Sequence, residues 1–528
     1  MITKFIEQSP VYSEFTPEEQ IYFFDMSRDK VTSHVDTLYY TVSLYNDSNE
    51  PRDELVALLD ELRALKQRKA QNYDAQVDFF GLSVENTRFV HYEYCLKLNE
   101  NFDIFIASFL PNGNTPRIVV QLRTRSLVLD GTMGAVCKSF RYVKEILEAY
   151  GLEVGEVKEN RIDYAYHTNI MQNPYRYFDD RKLIGKFKSE LRFCQTIKNL
   201  GKKIDLSYIS FGDLKSNNVF VRVYNKTREV VEKNYKSFFL DKWLKDKLIN
   251  RYDHYVYSRA YSCASYVTGI LTGRIDWYLE YGHNEEIKQK LLEVKESCYV
   301  KSDNTDQLRK IVDRYLPPVT LIMNVEFQTK RRFYHDCKEY IKQFDLAHEK
   351  LRNGYPDWVK WYEDPLARLK ILYSLRSEFL DYLTTETLCF VDNKGTKSEK
   401  LCYWWQRIHD VMVDEREKQL KFLPLFRERS RITDFYKAKR RVLSAIAHVA
   451  LLKKGSLDSD TEFSEDVSDV LCELNDNDMH DMEIGLDSGR LLNIISKEYG
   501  DIKRRKARQN KGILPESKSN LNSNQSEE

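Results

Sequence analysis

The stretch NNVFVRVYNKTRE, residues 217–229, alternates with a period of two. Successive side chains of a strand point to opposite faces. Val219, Val221 and Val223 therefore make one face, suited to a core. Phe220, Arg222 and Tyr224 alternate with them, and Arg222, Tyr224 and Lys226 fall in a row. Two other stretches repeat the pattern. In NRIDYAYHTN, Arg161, Asp163, Ala165 and His167 share a face opposite Tyr164 and Tyr166. In LIMNVEFQTK, Asn324, Glu326 and Gln328 oppose Met323, Val325 and Phe327. If these strands are neighbours in one sheet, Asp163, Glu326, Tyr224, Arg222 and Lys226 converge.

Further strands are expected at HVDTLYYTVSLY, TRFVHYEYCLKL, FDIFIASFL, PRIVVQLRT and DLSYISFG, with PNGN as a turn. Helices are expected at DELVALLDELRALKQRKAQ, where Leu55, Leu58, Leu59, Leu62 and Leu65 form one stripe, and at SFRYVKEILEAYGL. The expected class is α+β: an antiparallel-sheet catalytic domain with a helical insertion, followed by a mostly helical region. The expected divisions are an N-terminal segment 1–30, the catalytic domain 31–238, the insertion 239–318 and the last catalytic strand in 319–335. A helical domain 336–455, an acidic linker 456–486, and a basic helix with a disordered tail 487–528 follow.

Composition narrows the function classes. The net charge of the 528-residue chain is +1, yet residues 456–483 hold eleven Asp and Glu and no Lys or Arg, so the rest carries +12. A basic body with an acidic segment suits a polyanionic ligand. The nine cysteines are odd in number and contain no CxxC, which reads as free thiols in a reducing compartment. The N-terminus lacks an apolar signal core, and no apolar run reaches the ~18 residues of a membrane span. A cytoplasmic protein is the expectation. No GxxxxGK[ST] loop occurs, so an ATPase motor is not expected. No His-hydrophobe-His pair occurs either.

The convergent set has a chemical sense. A tyrosine with its ordinary pKa near ~10 is a weak nucleophile at neutral pH. Flanking cations and a metal favour the phenolate. Two carboxylates supply hard oxygen ligands for a divalent cation, which polarises a phosphodiester. The set fits attack of Tyr224 on a DNA phosphate to give a phosphotyrosine. An ordinary half-exposed sheet face with incidental ion pairs shows the same alternation, and the residues alone leave both readings open.

ISFGDLKSNNVFVRVYNKTRE resembles the signature of the replication initiation factor (Rep_trans) family, which includes rolling-circle plasmid initiators and relaxases of conjugative elements. The matching residues are Gly212, Ser216, Arg222, Tyr224, Lys226 and Glu229. RIDYAYHTN resembles the family's upstream Arg-x-Asp strand through Arg161 and Asp163, and NVEFQ its later strand through Glu326. The resemblance spans roughly residues 31–330. It implies Tyr224 as nucleophile, Arg222 and Lys226 as phosphate-handling cations, Asp163, Glu326 and Glu229 as ligands of Mg²⁺ or Mn²⁺, and Arg161 as a DNA contact. Two departures stand out. His167-Thr168 occupies a place where the family often has a second acid, which makes His167 an alternative ligand. Tyr224 and Glu326 are also further apart than in compact members, hence the insertion.

In RERSRITDFYKAKRRVLSAIAHVALLKKG a basic helix is expected, with Lys437, Arg440 and Arg441 as phosphate contacts. The combined expectation is site-specific DNA nicking and strand transfer that initiates rolling-circle replication at an origin, with a host helicase and polymerase as partners. A homodimer is one arrangement left open, and no membrane partner is expected. A conjugative relaxase with the same chemistry, a non-catalytic DNA-binding protein and an RNA-binding stacking platform are the alternatives.

Overall fold

The computed structural model describes residues 9–48, 52–71, 76–87, 89, 91–110, 115–172, 177, 183–185, 191–198, 204–212, 218–233, 236–261, 265–300, 305–343, 364–392 and 400–417. The chain divides into two units, Met1–Glu428 and Arg429–Glu528. The second unit lies outside the described residues, and with it Lys437, Arg440, Arg441, the acidic segment and the tail.

The fold is α+β. In chain order, α1 (Pro17–Phe24) precedes the long β1 (Val31–Leu44) and α2 (Asp53–Gln71). Then come β2 (Asp78–Phe79), β3 (Leu82–Glu85), β4 (Tyr94–Leu98), β5 (Phe102–Ile106) and β6 (Ile118–Leu122). α3 (Thr124–Leu129) and α4 (Thr132–Ala149) lead into β7 (Val154–Thr168), β8 (Leu183–Gly185), β9 (Leu191–Lys198), β10 (Ile204–Phe211) and β11 (Val219–Asn225). After a short helical turn (Lys226–Arg228, then Glu229–Lys233) come α5 (Ser237–Lys245), α6 (Arg251–Ala260), α7 (Tyr266–Tyr281), α8 (Glu285–Val300) and α9 (Thr305–Tyr315). β12 (Met323–Lys330), α10 (Arg331–Asp336), α11 (Ala367–Ser374), α12 (Arg376–Tyr382), β13 (Leu388–Phe390) and α13 (Tyr403–Glu417) complete the order.

Eleven strands form one sheet in the order β2-β3-β4-β5-β6-β1-β7-β12-β11-β10-β9. Every neighbouring pair in it is antiparallel. Such a sheet packs a core on one face and leaves the other polar. The core face carries Tyr164, Tyr166, Val221, Val223, Val325 and Phe327. It packs in one cluster with the α2 leucines, with Val136 and Phe140 of α4, and with Leu369, Phe379 and Trp405 of α11, α12 and α13. The described helices after residue 336 thus complete the core of the sheet.

The helices between β11 and β12 bury a separate core that includes Phe239, Trp243, Tyr252, Val256, Trp277 and Tyr278. Val11, Phe15, Phe23 and Phe24 of the N-terminal segment belong to it as well. α1 is started by a capping box between Thr16 and Glu19, with Pro17 in its first turn. α6 and α7 meet backbone to backbone, since a Cβ at Gly273 would lie 2.8 Å from the Val256 carbonyl oxygen.

Some local expectations shift. The strand read from TRFVHYEYCLKL begins only at Tyr94, and none of β2, β3, β8, β9 and β13 is among the strands expected from the sequence. Within the expected helical insertion, LDKWLKDKLINRY is divided between α5 and α6, because Lys247 takes a left-handed φ of 57° and Asn250 caps the next helix.

Candidate active site on the polar face of the sheet

β12 lies between β7 and β11, so residues distant in sequence face one another. Glu326 is opposite Arg222 on one side and Ala165 on the other, Asn324 is opposite Tyr224, and Gln328 is opposite Asp163. Period two then puts Asp163, Glu326, Asn324, Arg222 and Tyr224 on one face. Their contacts close a network. Arg161 forks onto Asp163, with Nε donating to Oδ1 at 2.8 Å. Arg222 Nη2 donates to Glu326 Oε1 and lies 3.8 Å from Asp163 Oδ2. Both carboxylates are fully buried, whereas the Arg161 and Arg222 side chains are 30% and 29% exposed.

The phenol of Tyr224 is the centre of the network. Its hydroxyl donates to Glu326 Oε2 at 3.1 Å. It accepts from Asn324 Nδ2 at 2.8 Å and from Lys226 Nζ at 3.3 Å. Lys226 follows the end of β11 and is completely buried. Its ammonium is 2.7 Å from Glu229 Oε2 and 3.4 Å from Asp36 Oδ1. The Asn225 side chain caps the turn that starts there by accepting from Arg228 N at 2.9 Å.

The electrostatics of the metal-free site oppose ionisation of the tyrosine. Burial, then Glu326, Glu229 and Asp36, hold the Tyr224 hydroxyl well above its ordinary pKa, and Arg222 opposes them less. The phenol is therefore protonated here despite its cationic flanks, with a carboxylate placed to take the proton. Asp163 is pushed up to about 7 by burial; Arg161 pulls it down, while nearby Glu326 adds to the rise. Burial lowers the Lys226 pKa, but Asp36 and Glu229 outweigh it and leave the ammonium above its usual value.

The expected metal ligands separate into two places. Asp163 and Glu326 come together across Arg222. Glu229 does not join them, because Lys226 and Lys236 hold its two oxygens, the latter at 3.0 Å. Among the described residues no three His, Cys, Asp or Glu side chains cluster as a metal site. Two buried carboxylates, with the buried and unpartnered Oδ1 of Asn324 beside them, still suit in kind a hard cation that keeps much of its water. His167 lies further along β7. Its Nδ1 accepts from Trp243 Nε1 at 2.9 Å, so the proton of the neutral ring is on Nε2 and neither nitrogen is offered to a metal.

Sequence reasoning missed Asp36, His34 and Asn324 as members of this neighbourhood. His34 packs on His167 with ring centroids 4.3 Å apart, and Phe239 of α5 packs on both. α5 thus covers the His167 end of the polar face, and Arg161, Arg222 and Tyr224 stay partly exposed beyond it. Asn324 is on the right face by alternation but carries no charge to single it out. Asp36 sits at a shift in register between Val35 and Thr37, which spoils the alternation that would have marked it.

Among the described residues no helix is long and apolar enough to cross a membrane. No family model matches the sequence, and no curated protein matches it. Among solved structures the chain is similar to a rolling circle replication initiator protein from Geobacillus stearothermophilus, at 11% identity and a TM-score of 0.31, over 75% of this chain and 100% of that one.

Proposed function

We propose that this face nicks DNA and transfers the cut strand through a covalent phosphotyrosine on Tyr224. The observation that carries the reading is the Tyr224 hydroxyl set between one acceptor, Glu326, and two donors, Asn324 and Lys226, beside partly exposed guanidinium groups. A nucleophile with a base in hydrogen-bond reach is the arrangement covalent catalysis needs. As the phenol oxygen bonds to phosphorus, its proton passes to Glu326. The bond from phosphorus to the 3′ oxygen breaks, and that oxygen leaves as a 3′ hydroxyl after taking up a proton. Asn324 and Lys226 keep donating to the phenol oxygen while it carries negative charge. Arg222 and Arg161 neutralise the non-bridging phosphate oxygens, as paired guanidinium groups do for phosphates.

Asp163 and Glu326 would hold Mg²⁺ or Mn²⁺, which supplies Lewis-acid polarisation of the phosphodiester when bound. The freed 3′ hydroxyl suits extension by a host polymerase after a host helicase opens the duplex. Initiation of rolling-circle replication is the reading put first, and a conjugative relaxase uses the same chemistry.

The test is a suicide oligonucleotide or supercoiled plasmid carrying the cognate origin, with Mg²⁺ or Mn²⁺, followed by denaturing electrophoresis and peptide mapping. Wild type gives a protein–DNA adduct on the peptide containing VYNK. Tyr224→Phe keeps the ring and the fold and gives none. An adduct on another tyrosine refutes the site. Specific binding with no adduct under any metal condition leaves the non-catalytic DNA-binding alternative.

A further inference from the structure

The polar face continues past the tyrosine towards β6, and its charges are layered. In Arg222–Glu326, Arg161–Asp163 and Arg123–Asp103 the carboxylate is 0%, 0% and 5% exposed while the guanidinium side chain is 29%, 30% and 36% exposed. The register puts the three pairs on one face. Tyr39 lies opposite Arg161 on β7 and opposite Gln121 on β6, and Asp103 lies opposite Gln121. Arg123 follows Gln121 by two positions and reaches Asp103, with Nε donating to Oδ1 at 3.3 Å. Tyr39 fills the gap between the second and third pairs, under the Arg161 guanidinium at 5.5 Å. A buried carboxylate beneath each arginine fixes the guanidinium and leaves its outer edge for another anion. Four strand spacings from β11 to β6 cover ~19 Å. That length meets several phosphates of one strand, which follow at ~3.4 Å of rise along a duplex and further apart when extended.

We infer that Arg222, Arg161 and Arg123 form a track for the phosphate backbone of the DNA strand that runs from the scissile phosphate at Tyr224 across β12, β7 and β1 to the end of β6. The inference rests on the proposed function for the identity of the strand, and it adds a contact, Arg123, that takes no part in the chemistry. Tyr39 supports the middle of the track as a platform for Arg161.

The experiment replaces Arg123 and Asp103 together, Arg123→Gln with Asp103→Asn, so that no buried carboxylate is left unpaired. Binding of a fluorescein-labelled oligothymidine is measured by anisotropy over a salt series. Loss of one phosphate contact lowers the salt slope by ~0.7 for a single strand. Affinity at low salt falls several-fold. A wild-type measurement guards against a folding defect. Phenylglyoxal modification, mapped by mass spectrometry, is suppressed by the oligothymidine at Arg123, Arg161 and Arg222 and not at Arg63, whose side chain is 58% exposed on α2. An unchanged slope in the folded double variant, or modification of Arg123 that DNA does not suppress, overturns the track even where the Tyr224 adduct forms. A lowered slope and protected Arg123 without any adduct leave the track standing and remove the catalytic reading.

Discussion

Lys226→Met tests the frame of the site without any substrate. The ammonium is completely buried between Asp36, 12% exposed, and Glu229, 20% exposed. Methionine fills similar space and removes the charge, leaving two carboxylates facing each other with Lys236 the remaining cation on Glu229. Removing one partner of a buried ion pair costs about 3–5 kcal/mol. Unfolding entropy of ~2.1 cal/mol/K per residue, taken over the unit of roughly 428 residues, gives ~0.9 kcal/mol/K. The expected drop in Tm is therefore ~3–6 °C by differential scanning calorimetry at pH 7.

The pH dependence of that difference has a definite sign. Burial raises the Asp36 carboxyl, but Lys226 and then His34 outweigh it and hold the pKa well below normal. Its contribution is present above the unfolded value near ~4 and is lost as pH falls through the lowered folded value. Lys226 titrates above its usual ~10.5, so its contribution is complete below that value and is lost as pH rises through the folded one. The gap between wild type and variant is thus flat across neutral pH and closes in strong acid. Adding Asp36→Asn to Lys226→Met recovers part of the loss, because one of the two stranded charges is gone. A Tm change under ~1 °C for the single variant, or a double variant worse than the sum of the singles, refutes the buried ion-pair argument.

Four further outcomes are expected. Asp163, at about 7, is protonated below that pH, so the site gains positive charge and oligonucleotide binding in EDTA at fixed ionic strength tightens from pH 8 to pH 6; Asp163→Asn flattens the profile. The same raised pKa means that Asp163 makes stability fall as pH rises from ~4 through about 7, because the folded chain holds a proton the unfolded chain has released. Gly273→Ala forces α6 and α7 apart at the Val256 carbonyl and lowers stability by about 1–3 kcal/mol, read as a shifted denaturation midpoint with an intact sheet. Replacing Lys437, Arg440 and Arg441 with Ala lowers the salt slope of duplex binding by about one for each lost phosphate contact, and an unchanged slope makes that segment a solvated face.

Much of the site's composition was legible because alternation is a local property. A strand's side-chain directions follow from its backbone, so alternation alone assigns Arg222 with Tyr224, Arg161 with Asp163, and Asn324 with Glu326 each to a common face. The α2 leucine stripe was legible for the same reason, and all five of its leucines are buried. Strand order was not legible. β12 enters between β7 and β11 only after the helices α5 to α9, and that long-range pairing is what brings Glu326 to Arg222 and Tyr224. Asp36 reaches Lys226 across 190 positions of sequence and past a break in register, so no window of residues reveals the pair. The direction in which the metal-free site shifts Tyr224 is hidden for a related reason. The sequence shows which charges flank the tyrosine, but burial and the carboxylates on three other segments set the sign, and desolvation depends on what the whole fold excludes from water.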